Sequence, residues 1–222
     1  MKKALLILCI VSSVVSSFAQ SIKFGFKGGV NLSNLQETES GASSSGSMVT
    51  GSHIGVFADL GLGAWSIQPA VLYTTKGGRN DVAGTITTNG STYTYTGTEQ
   101  LTLNYVEVSV NFLYHIPVVI GKIFIGGGPY VAIGTSGNDA LSTTATNNGV
   151  TATNSGTASV TFGSAVGDIK NPDYGINLTG GITLKNGILF GISYGAGLAN
   201  LANDGSTLHN NNISFSVGYS FF

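Results

Sequence analysis

The chain has 222 residues, of which 42% are hydrophobic and only 9% charged, with 9 Lys+Arg against 10 Asp+Glu. Ordinary soluble domains carry roughly 25% charge, so a water-facing globular surface is hard to build from this composition. Without a basic excess there is nothing to neutralise a phosphate backbone, which excludes nucleic-acid binding. The 33 glycines, set among many Ser, Thr and Asn, starve helices and suit strands, turns and polar loops.

Lys2 and Lys3 precede an apolar run from Ala4 to Val15 and the small-residue pattern Ser17-Phe18-Ala19. This predicts a signal peptide over residues 1–19, Sec-type export and cleavage after Ala19, with a single domain over 20–222. The run is too short for a membrane helix, which needs ~20 apolar residues, and no later stretch approaches that length. The one cysteine, Cys9, lies in the leader, so the mature chain would have neither a disulfide nor a thiol nucleophile. Removing Lys2 and Lys3 leaves 7 basic residues against 10 acidic ones, a charge of −3.

Period-two alternation dominates the chain beyond the leader. In the first segment Ile22, Phe24, Phe26, Gly28, Val30 and Leu32 share a face opposite Lys23, Gly25, Lys27, Gly29 and Asn31. The second opposes Ile54, Val56, Ala58, Leu60 and Leu62 to His53, Gly55, Phe57, Asp59 and Gly61. In the third, Trp65, Ile67, Pro69, Val71 and Tyr73 oppose Ser66, Gln68, Ala70, Leu72 and Thr74, and Lys76 continues the polar row. The fourth sets Val106, Val108, Val110, Phe112 and Tyr114 against Tyr105, Glu107, Ser109, Asn111 and Leu113. In the fifth, Ile123, Ile125, Pro129, Val131 and Ile133 oppose Lys122, Phe124, Tyr130 and Ala132. Ile176, Leu178, Ile182 and Leu184 mark a sixth, Ile188, Phe190, Ile192 and Tyr194 a seventh, and Ile213, Phe215, Val217, Tyr219 and Phe221 an eighth, making eight strands. Pro69 removes a ladder donor, so a local bulge is expected there.

The connections alternate in length. Gly61 to Ala64, His115 to Gly121 and Lys185-Asn186-Gly187 are tight; 33–52, 77–100, 135–171 and 200–210 are long, polar and read as solvated loops. Short turns at one end and long loops at the other predict an all-β fold: an eight-stranded antiparallel up-and-down transmembrane β-barrel with short periplasmic turns and long extracellular loops. Trp65 and Tyr73 stand eight residues apart on the outer face. At ~3.3 Å per residue and a tilt near 40° they are about 20 Å apart along the membrane normal, close to the ~25 Å apolar band of such barrels. Trp65, Tyr73, Tyr114, Tyr219 and Phe221 are the expected aromatic girdle, and the terminal Phe222 the expected signal to barrel-assembly machinery.

Ile67-Gln68-Pro69 through Tyr73 and Lys76-Gly77 resemble the third-strand motif of the PorT-like outer-membrane β-barrel family. Tyr105-Val106-Glu107-Val108 is similar to its fourth-strand motif, and Gly128-Pro129-Tyr130, Tyr194 with Gly197-Leu198 and the aromatic C-terminus to later positions. The resemblance implies an eight-stranded barrel in the outer membrane of a Gram-negative cell and little about activity. The chain departs from the family at Ser109, usually proline, at Ala70, usually acidic, and at Ser193, usually arginine. Ala70 and Ser193 are expected to face each other at similar height, so their joint presence reads as the paired loss of a cross-lumen ion pair.

An eight-stranded lumen is only wide enough for side chains to fill it, so inward charges must pair. Lys27, Asp59, Lys76, Glu107 and Lys122 are therefore expected to form a structural polar plug. His53, His115 and His209 accompany no Ser-His-Asp spacing and no metal-ligand cluster, and no Gly-Lys-Ser/Thr step marks a phosphate loop. No catalytic, cofactor or metal residue is assigned. The expected role is a non-enzymatic structural or surface-interaction barrel, with outer-membrane lipids, assembly machinery and an unidentified surface or periplasmic protein as partners. Alternatives are an accessory barrel of a secretion system and a lipid- or peptide-modifying enzyme.

Overall fold

The structure, a computed structural model, describes residues 22–39, 42–88, 91–147 and 150–221. The expected leader and Phe222 lie outside the described residues. Among the described residues there are ten strands: β1 Ile22–Glu39, β2 Ala42–Ser45, β3 Val49–Leu62, β4 Trp65–Thr88, β5 Ser91–Val118, β6 Gly121–Asn147, β7 Val150–Ser159, β8 Asp173–Leu184, β9 Ile188–Gly197 and β10 Thr207–Ser220. Eight of them form an antiparallel ring in the order β1-β3-β4-β5-β6-β8-β9-β10, closed where β10 pairs β1 from Gly25↔Ser220 to Thr38↔Thr207. Closure leaves the ring no free edge.

The alternation sorts as the sequence predicts. Phe24, Ile54, Val56, Trp65, Val71, Phe112, Ile125, Leu178, Phe190 and Val217 are exposed on the outside, and Gln68, Thr74, Tyr105, Glu107, Tyr130 and Asn210 are buried inside. An apolar belt of that extent has no place in water; it is a lipid-facing surface. Short turns at Gly63-Ala64, Val119-Ile120 and Lys185-Asn186-Gly187 join β3 to β4, β5 to β6 and β8 to β9. In the last, Gly187 takes φ +89° and Asn186 Oδ1 accepts a hydrogen bond from the Ile188 N–H at 3.2 Å, the local chemistry an Asn-Gly turn provides.

Two expectations are corrected. The long connections are largely strand: β4 and β5 pair without interruption from Trp65↔Tyr114 to Thr88↔Ser91, and β6 carries β7 on its outer half from Asn138↔Ser159 to Asn147↔Val150. Runs such as Thr92-Tyr93-Thr94-Tyr95-Thr96 have strand propensity, and a hairpin already in register extends its ladder at little further entropic cost. The four strands β4 to β7 thus project as a sheet beyond the ring. Secondly, no bulge occurs at Pro69. The β3–β4 ladder skips Ala58 and Asp59 and resumes in the same register at Leu60↔Ile67, while the register shift falls between Asn104 and Tyr105 on the β5–β6 pair. Proline removes one donor without adding a residue, so the pairing has a gap and no slip. The sixth ring strand begins at Asp173, just past the expected 135–171 connection.

The lumen is filled by large rings laid over glycines of the adjacent strand. A Cβ at Gly25 would strike the Phe57 ring, one at Gly181 the Phe124 ring, and one at Gly175 the Tyr130 ring. These glycines supply the space in which a narrow barrel can seat aromatic side chains.

Candidate functional site

From the short-turn end upward, the interior is layered. The first mouth holds Lys23, Asp59, His115, Lys122 and Lys185 around an open cavity of about 570 Å³. Above it Phe57, Ala70, Leu113, Phe124 and Leu189 form a buried apolar layer. Next comes a polar layer with a void of about 30 Å³ among Lys27, Asn31, His53, Glu107 and Ser214, room for a single water. A second apolar layer of Leu103, Tyr105, Tyr130, Ala132, Ile169, Ala199 and Leu201 covers it. The long-loop mouth above has a cavity of about 260 Å³ lined by Glu37, Glu99, Asp168 and Asp204 and, among the described residues, by no cationic side chain.

Between the two apolar layers most polar groups pair with one another, although Asn111 Oδ1 has no hydrogen-bond partner. Lys76 Nζ lies 2.9 Å from Glu107 Oε2 and 3.5 Å from Asp173 Oδ2, and 4.2 Å above the Tyr130 ring centroid, a cation–π arrangement. Tyr130 Oη donates to Asp173 Oδ1 at 3.4 Å, and Asn177 Nδ2 to Glu107 Oε1 at 3.4 Å. Beside this cluster His53 is a hub, with Nδ1 2.8 Å from Asn31 Oδ1 and Nε2 2.9 Å from Ser216 Oγ. Asn31 Nδ2 donates to Thr74 Oγ1 at 2.8 Å and Ser214 Oγ donates to Asn31 Oδ1 at 2.8 Å. Four strands are tied by that one asparagine and its histidine.

The expected five-residue plug therefore splits. Lys27, Lys76 and Glu107 lie between the apolar layers; Asp59 and Lys122 lie below them, in the short-turn mouth. Phe57 stands one inward step above Asp59, and Phe124 one above Lys122, so each ring separates its own strand's rim charge from the interior. Asp173 belongs to the plug and the sequence reading missed it; no alternation precedes it, and the one available signal was a lone acid next to Tyr174. Ala70 and Ser193 both face inward at different heights. Ala70 packs in the layer that includes Leu189, whereas Ser193, four residues beyond Leu189, donates to Thr179 Oγ1 at 2.9 Å in the polar zone.

Outward aromatics stand at both ends of the belt: Tyr174 and Tyr194 are exposed toward the long-loop end, and a cluster lies at the short-turn end. Trp65 and Tyr114 have ring centroids 4.9 Å apart, and Tyr219 and Phe221 5.3 Å, with Phe26 5.9 Å from Phe221. Tyr73 is exposed on the same face of β4 as Trp65, nearer the long-loop end.

Around His115 the described residues do not assemble a hydrolytic triad. His115 Nε2 is 2.8 Å from Ser66 Oγ and 3.9 Å from Asp59 Oδ2, and its Nδ1 has no hydrogen-bond partner. Serine and acid approach one and the same nitrogen, whereas base catalysis on a serine needs the acid on the other. Among the described residues no group of three or more His, Cys, Asp or Glu could hold a metal ion. His209 Nδ1 lies 3.0 Å from the Ala199 carbonyl, and Asp204 Oδ1 accepts from Ser206 Oγ at 2.7 Å. The hydrogen bonds from the Ser206 hydroxyl and backbone N–H hold the exposed Asp204 carboxyl below its usual range.

A family model described as outer membrane protein beta-barrel domain matches residues 18–203. Among solved structures the chain is similar to Ail, the attachment invasion locus protein of Yersinia pestis, at 10% identity and a TM-score of 0.40 over 90% of this chain and 98% of that one. It is similar to Neisserial surface protein A at 11% identity and a TM-score of 0.39, covering 90% and 99% of the two chains. The outer membrane protease OmpT from Escherichia coli follows at 10% identity and 0.32, covering 90% and 96%. Likeness at that level assigns no activity. No curated protein matches the sequence. With the closed ring, the lipid-facing belt and a family match over most of its length, the chain belongs to the outer membrane protein beta-barrel domain family and resides in the outer membrane.

Proposed function

We propose that this is a non-enzymatic barrel whose role is interaction at the cell surface, carried by the sheet of β4 to β7 that projects from the long-loop end. The observation that supports this most is a contrast. The lumen is closed by two apolar layers around a neutral polar plug, which suits neither conduction nor chemistry. The sheet instead offers long two-sided polar strands, and every residue of β7 is exposed. A surface presented on a closed, rigid barrel is how loops commonly carry binding. The resemblance to PorT-like barrels supports a second reading, an accessory role in secretion through contacts at the short turns.

The test replaces 82–95 and 141–156 with two-residue Asn-Gly turns and displays both forms on cells. Unboiled samples of each should migrate differently from boiled ones in gels, since a closed barrel resists detergent. Cells carrying the shortened form should lose aggregation and adhesion to protein-coated surfaces. Equal adhesion by both forms would refute the surface role; loss of secretion on gene deletion, rescued by the shortened form, would establish the second reading.

A further inference from the structure

We propose that the short-turn mouth is a blind binding cup for a single-chain amphiphile with an anionic head, taken up from the periplasmic side. Its cavity, about 570 Å³, falls within the ~300–1,000 Å³ typical of small-molecule sites, which often occupy barrel mouths. The two ends of the cup differ in chemistry. Its floor is the apolar layer, presented through Phe57 and Leu189 and backed by Leu113 and Phe124. Among the described residues its rim has Lys122 and Lys185, with Lys23 beside them, and Asp59 is the carboxylate of that lining.

That arrangement fixes the orientation of a ligand. An acyl tail gains by covering the apolar floor, and the floor stops it from going further. The head then lies level with the lysines, where low-dielectric walls strengthen the field of a one-sign cleft. The charge is distributed along the whole barrel to the same effect. The interior cations Lys27 and Lys76 balance Glu107 and Asp173, and the opposite mouth is acidic. An anionic amphiphile is therefore attracted at one end and repelled at the other. A carboxylate and a phosphate monoester share the required chemistry.

The barrel in nanodiscs of zwitterionic lipid is dialysed to equilibrium against radiolabelled decanoate, decyl phosphate, decyltrimethylammonium and acetate, with empty nanodiscs as reference. Saturable uptake of about one decanoate or decyl phosphate per barrel is expected, with the cationic and the tailless probes at least about tenfold weaker. The variant Lys122→Glu/Lys185→Glu, at two exposed positions, should keep the heat-dependent gel shift of the folded barrel and bind the anionic probes at least about tenfold more weakly. Uptake equal to that of empty nanodiscs, equal binding of decyltrimethylammonium or acetate, or undiminished binding by the variant would each overturn the proposal. The probe comparison stands on the unaltered barrel whatever the variant does.

Discussion

Lys76 on β4 and Asp173 on β8 meet across the interior, Nζ to Oδ2 at 3.5 Å, with the Lys76 side chain 1% and the Asp173 side chain 0% exposed. Three strand boundaries separate them around the ring, so their contact spans the lumen and measures its closure.

Removing one member of such a cluster should cost more than removing a matched pair. Lys76→Met leaves Lys27 alone against Glu107 and Asp173, an uncompensated buried negative charge, and should destabilise the barrel by ~3–5 kcal/mol. The double change Lys76→Met/Asp173→Asn leaves Lys27 with Glu107 and should be the milder of the two. Urea unfolding of both single variants and the double one in lipid vesicles gives the coupling energy; strict additivity would show that the two side chains do not interact.

Trp65 is the only tryptophan, 58% exposed and in tilted ring contact with Tyr114 at the short-turn end. In a girdle role it sits at headgroup level. Its fluorescence should be quenched more by lipids brominated near the carbonyl than by lipids brominated at the chain end. Stronger quenching from the chain end would place this end of the barrel deep in the hydrocarbon.

Glu99 stands on β5 above the apolar belt. Partial burial first, then the carboxylates of Asp139 and Glu37, raise its carboxyl above the usual range. The folded form thus binds a proton more readily than the unfolded one. The destabilising contribution is fully present above the raised value, shrinks as pH falls through it, and vanishes below the ordinary carboxylate range. Hydrogen-exchange protection of the β4–β5 hairpin, corrected for intrinsic rates, should therefore be higher at pH 5 than at pH 8. Glu99→Gln should flatten that difference, and a protection that rises with pH would contradict the assignment.

Phe222 follows Phe221, which packs against Phe26 and Tyr219 on the outer face. If assembly machinery reads the terminal aromatic, deletion of Phe222 alone should lower outer-membrane yield several-fold with the folded fraction still showing the gel shift. Yield equal to that of the full chain would leave Phe221 packing as the sole function of this end.

The sequence alone determined the ring. Alternation is a property of a single strand, since consecutive side chains point to opposite faces, so Ile54, Val56 and Trp65 could be placed outside and Glu107 and Lys76 inside without knowing any partner. The same period cannot give height. Whether two inward residues share a level depends on strand tilt and on the stagger of all eight strands. That is why Asp59 and Lys122 read as plug yet lie below Phe57 and Phe124, and why Ala70 and Ser193 read as opposed yet lie in different layers. Asp173 joins Lys76 through a contact between strands that are not neighbours, which leaves no trace in local pattern. The projecting sheet was hidden for another reason: Thr, Asn, Ser and Gly are poor reporters of pairing when neither face is buried, and only the register inherited from the barrel wall, carried outward through β4, β5 and β6, decided that those residues are strand.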